Sequence, residues 1–168
     1  RVIFSYIEIA VKVASMYTTL LVVHNLLRWV VLLILVYAII RSLVKMRGNR
    51  DWLTSDHRLR LWTVTLIHIQ FLWGVILYLV SPLSKQFMSE FPASMSNAGL
   101  RHFGMEHTFM MIVSVIIITI ASAKAKRKTK PSDKFRTMGV GFLIGLVVML
   151  IAIPWLGSPL GDRPLFRL

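Results

Sequence analysis

The sequence predicts an all-α integral membrane protein, a four-helix bundle with its N- and C-termini on the outer side. Three observations carry that expectation. Of 168 residues, 56% are apolar and the mean hydropathy is +0.68, more greasy surface than one soluble core of this size can hide. The apolar residues cluster into four blocks, about 17–40, 61–80, 103–123 and 138–156, each near the ~20 residues a helix needs to cross the hydrocarbon of a bilayer. Most of the 20 basic residues sit in two of the connections: Arg41, Lys45, Arg47, Arg50, Arg58 and Arg60 around the first, Lys124, Lys126, Arg127, Lys128, Lys130, Lys134 and Arg136 around the third. The positive-inside rule places those two connections in the cytoplasm, and the termini and the 81–101 loop outside.

Residues 1–15 precede the first block. Glu8 and Lys12 interrupt any apolar core of a signal peptide. Arg1, Ser5, Glu8, Lys12 and Ser15 fall on one helical face and Val2, Ile3, Tyr6, Ile9, Ala10 and Val13 on the other. This is an amphipathic segment suited to the membrane surface or to a partner, or else an extension, since Met16 offers a natural start. Residues 16–168 are read as one four-span domain.

The first span closes at Gly48-Asn49, ordinary helix-stop residues, and a short polar turn leads into the second, which ends at Ser81-Pro82. The 81–101 loop, rich in Ser and Met, is expected to carry a short interfacial helix. The third connection is short and densely charged, so spans three and four form an antiparallel hairpin. Pro154-Trp155 closes the last span where Trp commonly sits, at the interface. The tail has no periodicity, and its apolar end Pro164-Leu165-Phe166 is suited to docking.

Composition excludes several chemistries. There is no cysteine, so disulfides, thiolate metal sites, iron–sulfur clusters and haem attached through Cys are out. A net charge of +13 would suggest nucleic acid in a soluble chain. Here only Trp52 and Phe135 lie among those charges as bases for stacking, so no nucleic-acid partner is expected.

An ionisable group inside a span costs about 2.5 kcal/mol or more and is a functional candidate by default. Span one offers His24 and Arg28, span two His68 and Gln70, and span three His102, Glu106 and His107. At about 100° per residue, His24 and Arg28 share one stripe, which should face protein. His107 shares a stripe with Phe103, Gly104, Met110, Met111 and Ser114, whose small members mark a helix contact face. His102 and Glu106 fall more than a quarter-turn away from His107, with His102 nearest the headgroups. His24 and His107 lie within a few ångströms of one depth, and His68 roughly 8 Å deeper at the rise of an α-helix.

Two inward histidines at one depth fit the axial ligation of a b-type haem, walled by Met110, Met111 and Phe103. A metal or proton path through His24, Glu106, His107 and His68 is a second use of the same residues. The third is structural: histidines as hydrogen-bonded struts and Arg28 as the partner of Glu106.

The segments Val23-His24-Asn25-Leu26-Leu27-Arg28-Trp29, His68-Ile69-Gln70 with Gly74-Val75-Ile76-Leu77-Tyr78, Arg101 with Glu106-His107 and Met110-Met111, and Ile153-Pro154-Trp155 resemble small four-helix bacterial membrane proteins, of the Bacteroidota type, catalogued as cytochrome b-like. The resemblance runs from about Met16 to the C-terminus. It implies haem binding or an accessory role in a complex of the bacterial inner membrane, and it falls on His24, Arg28, His68, Gln70, Glu106 and His107 but not on His102.

The expectation is therefore a single-haem b-type subunit. His24 and His107 are its axial ligands, His68 the substitute, and Arg28 and Glu106 the residues that orient a ligand or balance propionate charge. Its partners would be the lipid bilayer, other membrane subunits and a quinone. The alternative is a cofactor-free structural subunit of a respiratory, transport or secretion assembly. No nucleophile or acid–base pair is visible, so an enzyme in its own right is not expected.

Overall fold

In lipid every backbone polar group must be satisfied within the chain, which leaves helices as the economical way to cross. The computed structural model describes residues 2–48 and 50–155, without the side chains of 2–7, 9 and 10. Asn49 and the tail, with the expected docking of Pro164-Leu165-Phe166, lie outside the described residues. Five helices and no strand occur among them: α1 (Val2–Arg47), α2 (Thr54–Val80), α3 (Pro82–Ser89), α4 (Ala98–Arg127) and α5 (Pro131–Ala152). All but α3 are long and apolar enough to cross a membrane.

The helices outrun the apolar blocks at their charged ends. Residues 2–15 form the opening turns of α1 itself, with no break before the first span. At about 1.5 Å per residue α1 is roughly 69 Å long, more than twice the hydrocarbon thickness. At its other end Lys45 and Arg47 continue the helix, where cations suit the negative end of its dipole, and their stems can reach out to the polar interface. The last helix stops at Ala152, short of the sequence expectation, because Pro154 cannot donate to the ladder.

In the bundle α1 packs on α2 and α5, and α4 packs on α2 and α5. All neighbours are antiparallel, so α1 and α4 stand on a diagonal and run in the same direction. The tightest seam is α4 against α5. A Cβ on Gly141 would collide with Ala121 and one on Gly145 with Ile118, while Ser114 Oγ donates to the Gly145 carbonyl at 2.8 Å. Lipid offers no hydrophobic drive to hold helices together, so such close backbone approach supplies the attraction by dispersion. The outward faces stay apolar, with Leu33, Leu79 and Ile151 each at least 66% exposed.

The basic ends of four helices meet in one network. Asp56, 1% exposed, takes Arg41 Nε on Oδ1 and Lys45 Nζ on Oδ2, each at 2.7 Å. Its Oδ2 also accepts the Leu53 N–H at 2.9 Å, capping α2. One turn on, Arg60 Nη1 donates to Ser122 Oγ of α4 at 2.6 Å. Trp52 packs on Phe135 of α5 with ring centres 4.8 Å apart, and Lys134 lies over Trp52.

Replacing Asp56 by Asn strands two cations that share one carboxylate. Removing a partner from a buried ion pair costs about 3 kcal/mol or more, so Asp56→Asn should clearly lower the melting temperature in detergent, whereas Glu8→Gln, whose pair with Lys12 is exposed, should leave it unchanged.

Candidate functional site: a histidine-lined cavity

A cavity of about 300 Å³ opens among the spans at the end of the bundle opposite the basic network. Most of its lining is apolar, including Phe103, Met111 and Met149, and its polar groups include those of His24, Asn25, Arg28, Gln70, Tyr78 and His107. His24 and Arg28 sit on the same face of α1 because they are four residues apart. His107 reaches the cavity from the diagonal helix α4. Phe103 and Met111 wall it as expected; Met110 is not among the lining residues.

Local structure positions each imidazole. A Cβ on Gly74 would lie 3.2 Å from His24 Cε1, so the glycine makes the recess into which this ring fits. From the same helix, Gln70 Nε2 donates to the His24 carbonyl at 3.0 Å and lies 3.3 and 3.4 Å from the ring nitrogens. Gln70 Oε1 is buried without a hydrogen-bond partner among the described residues. The His107 Nδ1 is 2.9 Å from the Ala152 carbonyl. A carbonyl only accepts, so Nδ1 carries a proton and the neutral ring keeps its lone pair on Nε2.

The roof of the cavity is α3 and the opening of α4. Leu83 and Ser84 of α3 line it, and Phe87 sits directly on Gly104, where a Cβ would collide with its ring. The Tyr78 hydroxyl donates to the Gly104 carbonyl at 2.8 Å. Here α4 makes a π turn at His102–Glu106, closed by the His107 N–H on the His102 carbonyl.

That turn changes the angular place of His102. With one extra residue in the turn, His102 comes round to His107, ring centres 5.8 Å apart, and is buried within the protein, 3% exposed. Glu106 is not among the cavity-lining residues, in keeping with its angular separation from His107. Its Oε1 holds Arg101 Nε at 2.7 Å, with His102 Nδ1 3.6 Å from Oε2, so the ion pair expected with Arg28 is made with Arg101. π turns recur at functional sites in membrane and soluble helices alike.

His68 does not reach the cavity. Its Nε2–H donates to Thr119 Oγ1 at 3.0 Å, and that hydroxyl donates on to the Val115 carbonyl, a strut between α2 and α4. The structure thus brings His24, Arg28 and His107 to one cavity and leaves Glu106 and His68 outside its lining. Among the described residues no group of three or more His, Asp or Glu is placed to hold a metal ion. Sequence reasoning named Gln70, and quoted Gly74 and Tyr78 in the resemblance, without giving any of them a role; the four-residue step from Gln70 to Gly74 along α2 was the available signal. No protein-family model, curated protein or solved structure matches this chain.

Filling the recess should be felt first by His24. Gly74→Leu is expected to displace the ring and lower stability by about 1–3 kcal/mol, the usual range for overpacking, and Thr119→Val, which breaks only the His68 strut, by about 0.6 kcal/mol. Thermal unfolding of both variants in one detergent checks the order.

Proposed function

We propose that this multi-pass chain is a b-type haem subunit of the bacterial inner membrane, passing electrons within or alongside a larger membrane complex. One observation carries the reading: His24 and His107, from diagonally opposed helices, line a single cavity that is otherwise largely apolar. The donor chemistry fits the group. With Nδ1 donating to the Ala152 carbonyl, His107 would coordinate through Nε2, and metal-bound histidines commonly donate their other ring N–H to such a carbonyl. At about 300 Å³ the cavity lies at the lower end of the cofactor range.

Haem bound there would supply one-electron exchange, and two imidazole ligands favour electron transfer over oxygen chemistry. The chain's own residues do the rest. Gln70 and Gly74 hold His24 in place. Arg28 puts a positive charge on the cavity wall, suited to carboxylate groups of the ligand. Phe103, Met111 and Met149 keep water out. Glu106 acts only at a distance, by anchoring Arg101 over the π turn. The resemblance to cytochrome b-like membrane proteins points the same way, and a quinone or neighbouring subunit is the natural exchange partner.

A second reading, a cofactor-free structural subunit, draws on the internal bonds of the same histidines: His107 to Ala152, His24 to Gln70 and His68 to Thr119. The spectrum separates the two. A reduced-minus-oxidised visible spectrum of the purified protein should show a sharp b-type band, with about one haem per chain by pyridine haemochrome, since one pair of imidazoles would serve one iron. His24→Ala and His107→Ala should each abolish the band, and His68→Ala should retain it. A preparation isolated with its native partners that remains colourless overturns the haem reading in favour of the structural one.

A further inference from the structure

The α4–α5 hairpin carries a second concavity, on the outside of the bundle at its basic end. The floor is the contact of Ala121 with Gly141, where neither helix bears a side chain large enough to fill the seam. Ile117, Ile120 and Val140 form the walls, and Ile120 and Val140 remain nearly half exposed. Three cations rim it: Lys124 from the end of α4, Lys128 from the connection and Arg136 from the second turn of α5. All three are exposed. None makes an ion pair among the described residues; those pairs are Lys12–Glu8, Arg41–Asp56, Lys45–Asp56, Arg101–Glu106 and His102–Glu106. Asp133 is the one carboxylate in the lining, so the rim keeps an excess of two positive charges.

An apolar trough that starts within a span and ends under a cluster of unpaired cations has the polarity of a lipid with an anionic head. We propose that this groove is a binding site for an anionic phospholipid, its phosphate among Lys124, Lys128 and Arg136 and an acyl chain along Ile117, Ile120 and Val140. Basic pockets between transmembrane helices at one face of the bilayer bind such headgroups. The remaining basic residues of this end attract the same lipids diffusely; the groove adds a place for the chain. The site lies at the opposite end from the histidine-lined cavity and stands whether or not that cavity holds haem.

The test is a titration of phosphatidylglycerol into the intact protein in a neutral detergent, with bound lipid counted by native mass spectrometry. Phosphatidylcholine serves as the reference. Lys124→Gln, Lys128→Gln and Arg136→Gln together should weaken phosphatidylglycerol binding about a hundredfold, at roughly tenfold or less per cation. Arg47→Gln, Arg50→Gln and Arg58→Gln together remove the same charge elsewhere at this end and should weaken it less than about threefold, the screened share of a distant charge. Val140→Trp keeps every charge and fills the trough, and it too should lose the lipid. Equal loss in the two triple variants, or full binding by Val140→Trp, would reduce the effect to surface charge and overturn the proposal. Displacement of the lipid by an equal concentration of glycerol phosphate would make the site one for free phosphate, and would equally overturn it.

Discussion

The carboxylate of Asp56 sets the register of everything above it. It holds Arg41 and Lys45 from α1 while capping α2, so the two helices start their antiparallel course from a fixed point. About five turns back along α1 and four to five forward along α2, that register delivers His24 opposite Gln70 and Gly74. Trp73 Nε1 donating to the Leu20 carbonyl at 3.0 Å confirms the alignment near the far end. On the same side of the bundle Arg60 ties α2 to α4 and Trp52 ties the first connection to α5. A slip of one residue at Asp56 would turn the His24 ring out of its recess. The ion pairs are thus valuable less for their net energy, which desolvation offsets, than for the single alignment they permit.

The two ends of the bundle use polar groups differently. At the basic end Asp56 is matched to two cations, and the aromatic rings of Trp52 and Phe135 lie under lysines. At the other end several of the polar groups around the cavity are held through backbone carbonyls: Gln70 on that of His24, His107 on that of Ala152, Tyr78 on that of Gly104. Carbonyl acceptors hold a ring in place without adding a charge to the site. A largely apolar chamber with two such imidazoles and one guanidinium on its walls suits a flat, mostly apolar ligand that carries acidic groups.

Much of this was legible in the sequence, and the limits have physical causes. Hydropathy marks the spans because the bilayer demands about 20 apolar residues from each, and the stripe shared by His24 and Arg28 survives because α1 is regular throughout. Segregation of the basic residues anticipates the shared end of four helices. The helix ends were hidden since charged residues continue a helix as readily as apolar ones. In the sequence Arg60 counts among the basic residues of the first connection and Asp56 is not singled out; only the long-range pairing with α1 and α4 distinguishes them. The place of His102 beside His107 was hidden by the π turn, which shifts the register by one residue and leaves no trace in composition. Which helices neighbour each other depends on contacts such as Gly139 with Ser42 and Gly141 with Ala121, which no periodicity reports.

The π turn also bears on how the chain tolerates changes in length. Inserting or deleting a residue in a regular span rotates everything beyond it by about 100°, which in a packed bundle exchanges an inner face for a lipid-facing one. Between His102 and Glu106 the helix already stores one residue in excess. Loss of a residue there can be absorbed by return to the ordinary α-helical turn, leaving the seam of Ser114, Ile118 and Ala121 against α5 untouched. The opening of α4 therefore works as a slack link: the roof over the cavity can change in length across related sequences while the deeper half of the bundle keeps its register.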